Sequence, residues 1–282
     1  MLLSVFNLYR DVLPKTNCRK CGYQTCLAFA SMVISEKLSL EKCPYLSSET
    51  LAACNAELQA QYADGKWTKR DLARDALEWA KQRSASMDIR DLPGRIGGRL
   101  VDRGGRPVLE LTYFNQSIFI SSEAITHRDG TPLTRWEQVF IFNHMAQGGS
   151  SHPIGKWKGL VEFPNTISKI KSMKLHVEDP LKEVFKGRTR QLRDAAARLG
   201  GRDMTLEFGS ADVALYFQAL PRVPVMLMFW GAEAEDGFEA EAKLLFDETI
   251  TGHLDIESIM FLSERLQQLL CGMENGDSVN EW

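Results

Sequence analysis

Hydrophobic spacing divides the chain into a helical first part and a strand-rich second part. Up to residue 86, apolar positions recur every three or four residues, the period of an amphipathic helix. Leu2, Val5, Phe6, Tyr9, Val12 and Leu13 share one face of a predicted helix that Pro14 stops. A second helix is predicted to start at Thr25 or Cys26 and to run through Leu27, Phe29, Ala30, Val33 and Ile34. Ser47 or Ser48 caps a third that reaches about Tyr62, and Ala63-Asp64-Gly65 breaks it. Thr68 with Asp71 resembles a capping box for a fourth, with Leu72, Ala76, Leu77 and Ala80 on one face.

From Ile89 the pattern changes to strands and turns. Ile96 to Val101 and Pro107 to Tyr113 flank Asp102-Arg-Gly-Gly-Arg106, a hairpin signal, and Ile118 to Ser121 continues the meander. His127-Arg-Asp-Gly130 is a further turn. Thr134 and Glu137 form a capping box before a helix through Val139, Phe140, Phe142 and Met145. Asp179-Pro180 opens another helix, with Asp as N-cap and Pro in the first turn; it uses Leu181, Val184, Phe185, Leu192 and Leu199, and Gly200-Gly201 closes it. Strands are predicted around Thr205–Phe208, Val213–Phe217, Val225–Trp230 and Ala242–Phe246, with the apolar run 225–230 central. Asp255 caps a final helix carrying Ile256, Ile259, Met260, Leu266, Leu269 and Leu270.

The expected fold is α+β. A small helical module (1–47) and a helical connector (48–86) precede a mostly antiparallel sheet packed with helices (87–272) and a flexible tail (273–282). A length of 282 residues fits about two domains. Lys and Arg number 34 and Asp and Glu 37, so no bulk basic field is available for nucleic acid. The longest apolar run, Val225 to Trp230, is far below the roughly 20 residues of a membrane helix. The apolar N-terminus lacks a basic leading region and a small-residue cleavage site, so a cytoplasmic protein is expected.

The cysteines change this picture most. Four of the six fall at Cys18, Cys21, Cys26 and Cys43, while Cys54 and Cys271 stand alone. Four clustered thiols in a chain of this size point to a metal centre rather than a disulfide framework. The spacing C-x2-C-x4-C-x16-C suits either an iron–sulfur cluster or a structural zinc. Three ligands on one tight loop, a distant fourth and Pro44 directly after it favour the cluster. Zinc sites more often pair two short C-x2-C units. Residues 1–86 hold 12 Lys or Arg against 9 Asp or Glu, and the remainder 22 against 28. Lys15, Arg19, Lys20 and Lys42 flank the ligands. They would offset the charge of about −2 that four thiolates give an oxidised cubane, or they are simply solvated surface. The positive end of the helix from Cys26 would face the same centre, and Gly22 permits a close turn.

Residues 13–46, from Leu-Pro-Lys-Thr-Asn-Cys to Cys-Pro-Tyr-Leu, resemble the [4Fe-4S] module of the large subunit of the corrinoid iron–sulfur protein. Related modules occur in corrinoid-activating reductases and in an electron-transport complex subunit. The resemblance covers about an eighth of the chain and implies that Cys18, Cys21, Cys26 and Cys43 bind one low-potential [4Fe-4S] cluster. From about 90 to 270 the chain resembles an uncharacterised family, domain of unknown function 3786. That likeness rests on Gly155-Lys156-Trp157, Leu220-Pro221-Arg222-Val223-Pro224 leading into Phe229-Trp230, Leu245-Phe246-Asp247, and His253-Leu254. It supplies no catalytic residues.

Other candidates are weaker. His127, His144, His152, His176 and His253 form no H-x-x-x-H or H-E-x-x-H pattern, and neither a phosphate-binding P-loop nor a G-x-S-x-G elbow is present. Gly94-Arg95-Ile96-Gly97-Gly98 reads as a turn. The Gly148-Gly149-Ser150-Ser151-His152 loop, with Lys156 and Trp157, is a candidate contact for a phosphate or a corrinoid tail, against the plainer reading of a surface loop. His144 is a packed histidine or, less simply, a cobalt ligand. Trp157, Phe229 and Trp230 read as core. Cys54 reads as a small buried hydrophobe. The acidic stretch Glu233–Glu241 is a solvated loop or a docking patch.

The reading that follows is an iron–sulfur redox accessory protein of an anaerobe. It would pass single low-potential electrons to a corrinoid protein or another metalloenzyme. The alternative is a binding or maturation protein with a structural or transferable cluster, whose C-terminal domain holds a client or a corrinoid. A colourless zinc protein and an enzyme with its active site in the second region are further alternatives.

Overall fold

The computed structural model describes residues 3–64, 72–121, 124–231 and 239–275. The chain divides into two compact units, Met1–Asp75 and Ala76–Trp282.

The first unit is helical. Ser4 caps α1 (Val5–Asn7), which passes directly into a π-helical turn, Leu8–Val12, closed by Leu13 N–H to the Leu8 carbonyl at 2.8 Å. The wider turn slips the face expected from a regular helical period. Leu8, which that period left out, is fully buried, and Phe6, which it placed inside, is 60% exposed. Leu2 lies outside the described residues. Thr25 caps α2 (Cys26–Glu36) by accepting from Ala28 N–H, and Lys37 ends it in the left-handed conformation. Ser47 caps α3 (Ser48–Ala63). Leu8, Leu13, Phe29, Ala30, Val33, Leu40 and Leu58 form the unit's own core, with Cys54 buried beside them. Burial of each large side chain of this kind contributes about 1.5–3 kcal/mol. The capping pair Thr68 and Asp71 lies outside the described residues, as does most of the acidic stretch 233–241.

The second unit begins in α4 (Leu72–Ser84) and the short α5 (Leu92–Ile96). Ile96, expected to open a strand, instead closes α5. Four antiparallel strands follow in the order β1 (Arg99–Arg103), β2 (Arg106–Tyr113), β3 (Gln116–Ile120), β4 (Ile125–Thr126). The β1–β2 hairpin turns on Gly104 and Gly105, both at positive φ, the backbone hand that matches strand twist. The capping box of Thr134 and Glu137 starts α6 (Arg135–Gln147) as expected. This helix is buried from Glu137 to Met145 on every side, so no amphipathic face marks it.

A second sheet has the order β5 (Trp157–Gly159), β9 (Glu241–Asp247), β8 (Val223–Trp230), β7 (Val213–Leu220), β6 (Arg202–Asp203), all antiparallel. β8 is central and buried on both faces, as its unbroken apolar run implied. The stretch Thr205–Phe208, expected as a strand, is a pair of turns with Leu206 in solvent; only Arg202 and Asp203 pair with β7. The helix expected to open at Asp179 is already under way. α7 (Ile167–Met173) continues through a π-helical turn, Lys174–Glu178, into α8 (Asp179–Phe185). Asp179 is therefore not an N-cap. Lys186-Gly187, with Gly187 at positive φ, then breaks the helix, and α9 (Thr189–Arg198) starts afresh. Asp255 caps α10 (Ile256–Asn275) through Ser258 N–H, and α10 packs on α6 inside one continuous core. No helix among the described residues is long and apolar enough to cross a membrane.

Candidate iron–sulfur site

The ligand loop is built by backbone that L-residues rarely adopt. Lys15, Asn17, Arg19 and Gly22 all have positive φ, and the residues between them do not. Alternating hand over successive residues turns N–H groups inward, the concavity that phosphate and iron–sulfur sites use. Gly22 N–H bonds the Arg19 carbonyl at 2.9 Å, and Asn17 Oδ1 accepts from Cys26 N–H at 2.9 Å, tying the loop's start to the start of α2. The first amides of α2 are thus partly spent within the protein: Asn17 takes that of Cys26 and Thr25 that of Ala28. The helix end contributes less to a bound group than its position in the sequence implied.

The four thiols differ in exposure. Cys18 is open to solvent, Cys21 is half-buried, and Cys26 and Cys43 are buried. The Lys20 N–H and the Thr16 hydroxyl donate to the Cys18 sulfur and hold its pKa below the ordinary thiol value. Cys43 is pushed up, first by burial and then by the nearness of Cys21, Cys26 and Cys18, while Tyr45 N–H donates to it and opposes the shift. Its fourth thiolate is thus disfavoured by the other three, so all four share one electrostatic neighbourhood. A cationic centre among them reverses that penalty.

Among the described residues no group of three or more His, Cys, Asp or Glu side chains is arranged to hold a metal ion. What fits a cluster is the donor set itself: four sulfurs, with backbone N–H donors at two of them, Cys18 and Cys43. These donors had no sequence signal, because every residue but proline supplies a backbone N–H. Cys54 and Cys271 are buried, and burial raises both thiols.

The remaining candidates lie in the second unit. His144 is fully buried, beyond the reach of a ligand as large as a corrin. Its Nδ1 lies 3.1 Å from the His253 carbonyl and so carries the proton, and burial lowers its pKa to about 4. His253 Nε2 lies 2.9 Å from the Ser151 carbonyl, and burial lowers this ring's pKa too. The Gly148–His152 loop is accordingly an internal latch at its backbone. Gly149 N–H bonds the Gly252 carbonyl and Gln147 reaches the Thr251 carbonyl. Phe229 is core, and Trp157 and Trp230 are partly buried against a satellite cluster around Met226 and Met228. The glycine-rich segment expected as a turn is helical over its first half: Gly94, Arg95 and Ile96 end α5, and only Gly97 and Gly98, at positive φ, turn the chain away from it.

Comparison with known proteins follows this division. Residues 88–268 match the family described as "Domain of unknown function (DUF3786)". The chain belongs to the DUF3786 family. Residues 13–45, ahead of the DUF3786 region, match a second family, described as "Putative Fe-S cluster". Both resemblances read from the residues are borne out. The chain is 46% identical over 56 residues to the corrinoid/iron-sulfur protein large subunit of Moorella thermoacetica, covering 20% of this chain and 12% of that one. It is 41% identical over 46 residues to the acetyl-CoA decarbonylase/synthase complex subunit gamma of Methanocaldococcus jannaschii, covering 16% and 9%. A gamma 2 subunit of Methanosarcina thermophila is 30% identical over 140 residues, covering 48% and 25%. The chain thus spans between about a tenth and a quarter of the length of these relatives. No solved structure matches.

Proposed function

We propose that this DUF3786 protein carries one [4Fe-4S] cluster on Cys18, Cys21, Cys26 and Cys43 and passes single low-potential electrons to a metalloprotein partner in the cytoplasm of an anaerobe. The observation that carries this reading is the mixed exposure of one four-thiol set: Cys26 and Cys43 buried, Cys18 at the surface. A centre so held is sheltered on one side and within short reach of a partner on the other. Such a cluster, when bound, supplies one-electron storage at low potential.

The protein's own residues do the rest. Buried Cys26 and Cys43 keep water from one side of the site. The N–H groups of Lys20 and Tyr45 and the hydroxyl of Thr16 stabilise negative sulfur, which tunes the potential upward from that of bare thiolates. The relatives named as corrinoid/iron-sulfur and decarbonylase/synthase subunits support a corrinoid protein, or another enzyme of that chemistry, as the electron acceptor. In this reading the DUF3786 domain docks the client.

The test is anaerobic purification with iron and sulfide analysis and EPR before and after reduction. About four irons and four sulfides per chain, with a reduced-state signal of S = 1/2 type, is the expected result. Zinc without iron, or a cluster that no low-potential reductant reduces, overturns it.

A further inference from the structure

We infer that the surface around Cys18 is the docking face for a small acidic electron-donor protein, with Lys20 and Tyr45 at its centre. The inference rests on the electron-transfer reading and names the partner class for that same site.

The face combines two features that a merely solvated loop does not need. The first is exposed apolar area beside the ligands. Tyr45, two residues after Cys43, is 51% exposed, and Leu27, next to Cys26, is 48% exposed. The Lys20 ammonium stands 5.0 Å from the Tyr45 ring centroid, and the Lys20 backbone N–H donates to the Cys18 sulfur. Tyr45, Lys20 and Cys18 therefore share one neighbourhood. An exposed tyrosine ring is the kind of anchor that interface centres favour, and the Lys20 ammonium lies over its face.

The second feature is charge. Between residues 13 and 45 the chain has five cations, Lys15, Arg19, Lys20, Lys37 and Lys42, against Glu36 and Glu41. Lys15, Arg19, Lys20 and Lys42 are exposed, and the loop from Lys15 to Gly22 contains no acidic residue. The Arg10–Asp11 ion pair nearby is neutral as a unit. An excess of exposed cations in the segment that carries the ligands, with Lys20 at its exposed tyrosine, complements a protein with an apolar spot ringed by Asp and Glu.

The charge of the site also gives a direction. The oxidised cubane contributes about −2, which leaves the segment slightly positive, and one added electron cancels that excess. An acidic partner thus binds best to the oxidised state and is released after reduction, which is the behaviour of a donor. In the transfer, one electron leaves the donor's reduced centre, which is oxidised by one, and the cluster is reduced by one. No bond forms and no proton moves.

The experiment uses the full-length, cluster-loaded protein under anaerobic conditions, with a strongly acidic bacterial two-cluster ferredoxin as the probe. Binding is measured by biolayer interferometry at about 50 mM and about 500 mM salt, where the screening length falls several-fold. The expected result is binding that weakens as salt rises, weakens by about tenfold in Lys20→Glu at low salt, and weakens in Tyr45→Ala at both salt concentrations. Lys171→Glu, an exposed charge reversal in the second unit, leaves it unchanged. Salt-independent binding, or equal binding by wild type and Lys20→Glu, overturns the proposal. EPR after chemical reduction in the same samples separates the two readings. A cluster that takes an electron chemically in a chain that does not bind the ferredoxin overturns the docking face alone. A cluster that cannot be reduced overturns the electron-transfer reading and, with it, the donor assigned to this face. Should Lys20→Glu lose iron, the wild-type salt series and Tyr45→Ala carry the decision.

Discussion

The Glu137 carboxylate meets the Arg265 guanidinium at 2.7 Å with both side chains buried. Glu137 completes the cap of α6 through Thr134, accepts from the Tyr113 hydroxyl at 3.1 Å, and pairs with Arg265 on α10. One carboxylate thus joins the first sheet, α6 and the last helix. Tyr113 is held well above the ordinary tyrosine pKa, first by burial and then by the Glu137 charge, so it stays a donor.

Removing either side chain of this pair takes from the other, still buried, the opposite charge it meets at 2.7 Å. Arg265→Ala and Glu137→Ala are each expected to cost about 3–5 kcal/mol. In a unit of this size that lowers the melting temperature by about 6–20 °C. The double variant should cost much less than the sum, because the second change removes the charge that the first stranded. Urea unfolding of the three variants checks this, and additive losses would show the pair to be independent.

Capping chemistry in the sequence pointed to Glu137, but only to its local half. Thr134-x-x-Glu137 predicts a helix start, and the helix starts there. Arg265, 128 residues away, leaves no local trace. The same distinction explains the errors elsewhere. Residues 225–230 announced a central strand because burial on both faces demands an unbroken apolar run. The π-helical turn at Leu8–Val12 erased the face expected for α1, since a wider turn shifts every later residue around the axis. Asp179-Pro180 read as a helix start because the sequence does not show that the preceding π-helical turn continues straight into it. In the candidate site, the spacing of the four cysteines was legible. The strained loop and its N–H donors to sulfur were not, because they are backbone properties.

Substitution of the cysteines should split them into two classes. Cys18→Ser, Cys21→Ser, Cys26→Ser and Cys43→Ser are each expected to lose most of the iron per chain. Cys54→Ala and Cys271→Ala keep it, since both thiols are buried and fall outside the ligand spacing, and Cys54 reads as a packing group. Iron and sulfide analysis of purified protein is the readout. A Cys54→Ala protein without iron would extend the ligand set.

The latch between Gly148 and the Gly252 turn should be intolerant of a single added carbon. A Cβ at Gly148 would stand 2.3 Å from Ile96 Cγ2 and 2.5 Å from the His144 carbonyl oxygen. At Gly149 its nearest neighbour, the Gly252 carbonyl oxygen, would be 3.4 Å away. Gly148→Ala is expected to cost about 1–3 kcal/mol, through forced backbone shifts. Gly149→Ala should cost clearly less. Thermal unfolding of the pair measures the contrast, and equal melting temperatures would mean that the loop yields at both positions.

His144 makes the second unit acid-sensitive in a defined window. Its pKa falls from the ordinary 6.5 to about 4, mainly because burial disfavours the charged ring. Above about 6.5 the ring is neutral in both folded and unfolded chains, and the full stability is present. Below 6.5 the unfolded chain takes up a proton that the fold refuses, so stability falls until the folded ring titrates near 4. A shift of this size corresponds to about 3 kcal/mol lost across the window. His144→Asn retains an N–H that can reach the His253 carbonyl and has nothing to titrate there. Urea unfolding at pH 7, 5.5 and 4.5 should show the wild type losing stability faster than His144→Asn, with the two curves parting below pH 6.5. Curves that remain parallel would mean that the ring accepts its proton within the fold, against the burial that sets its pKa.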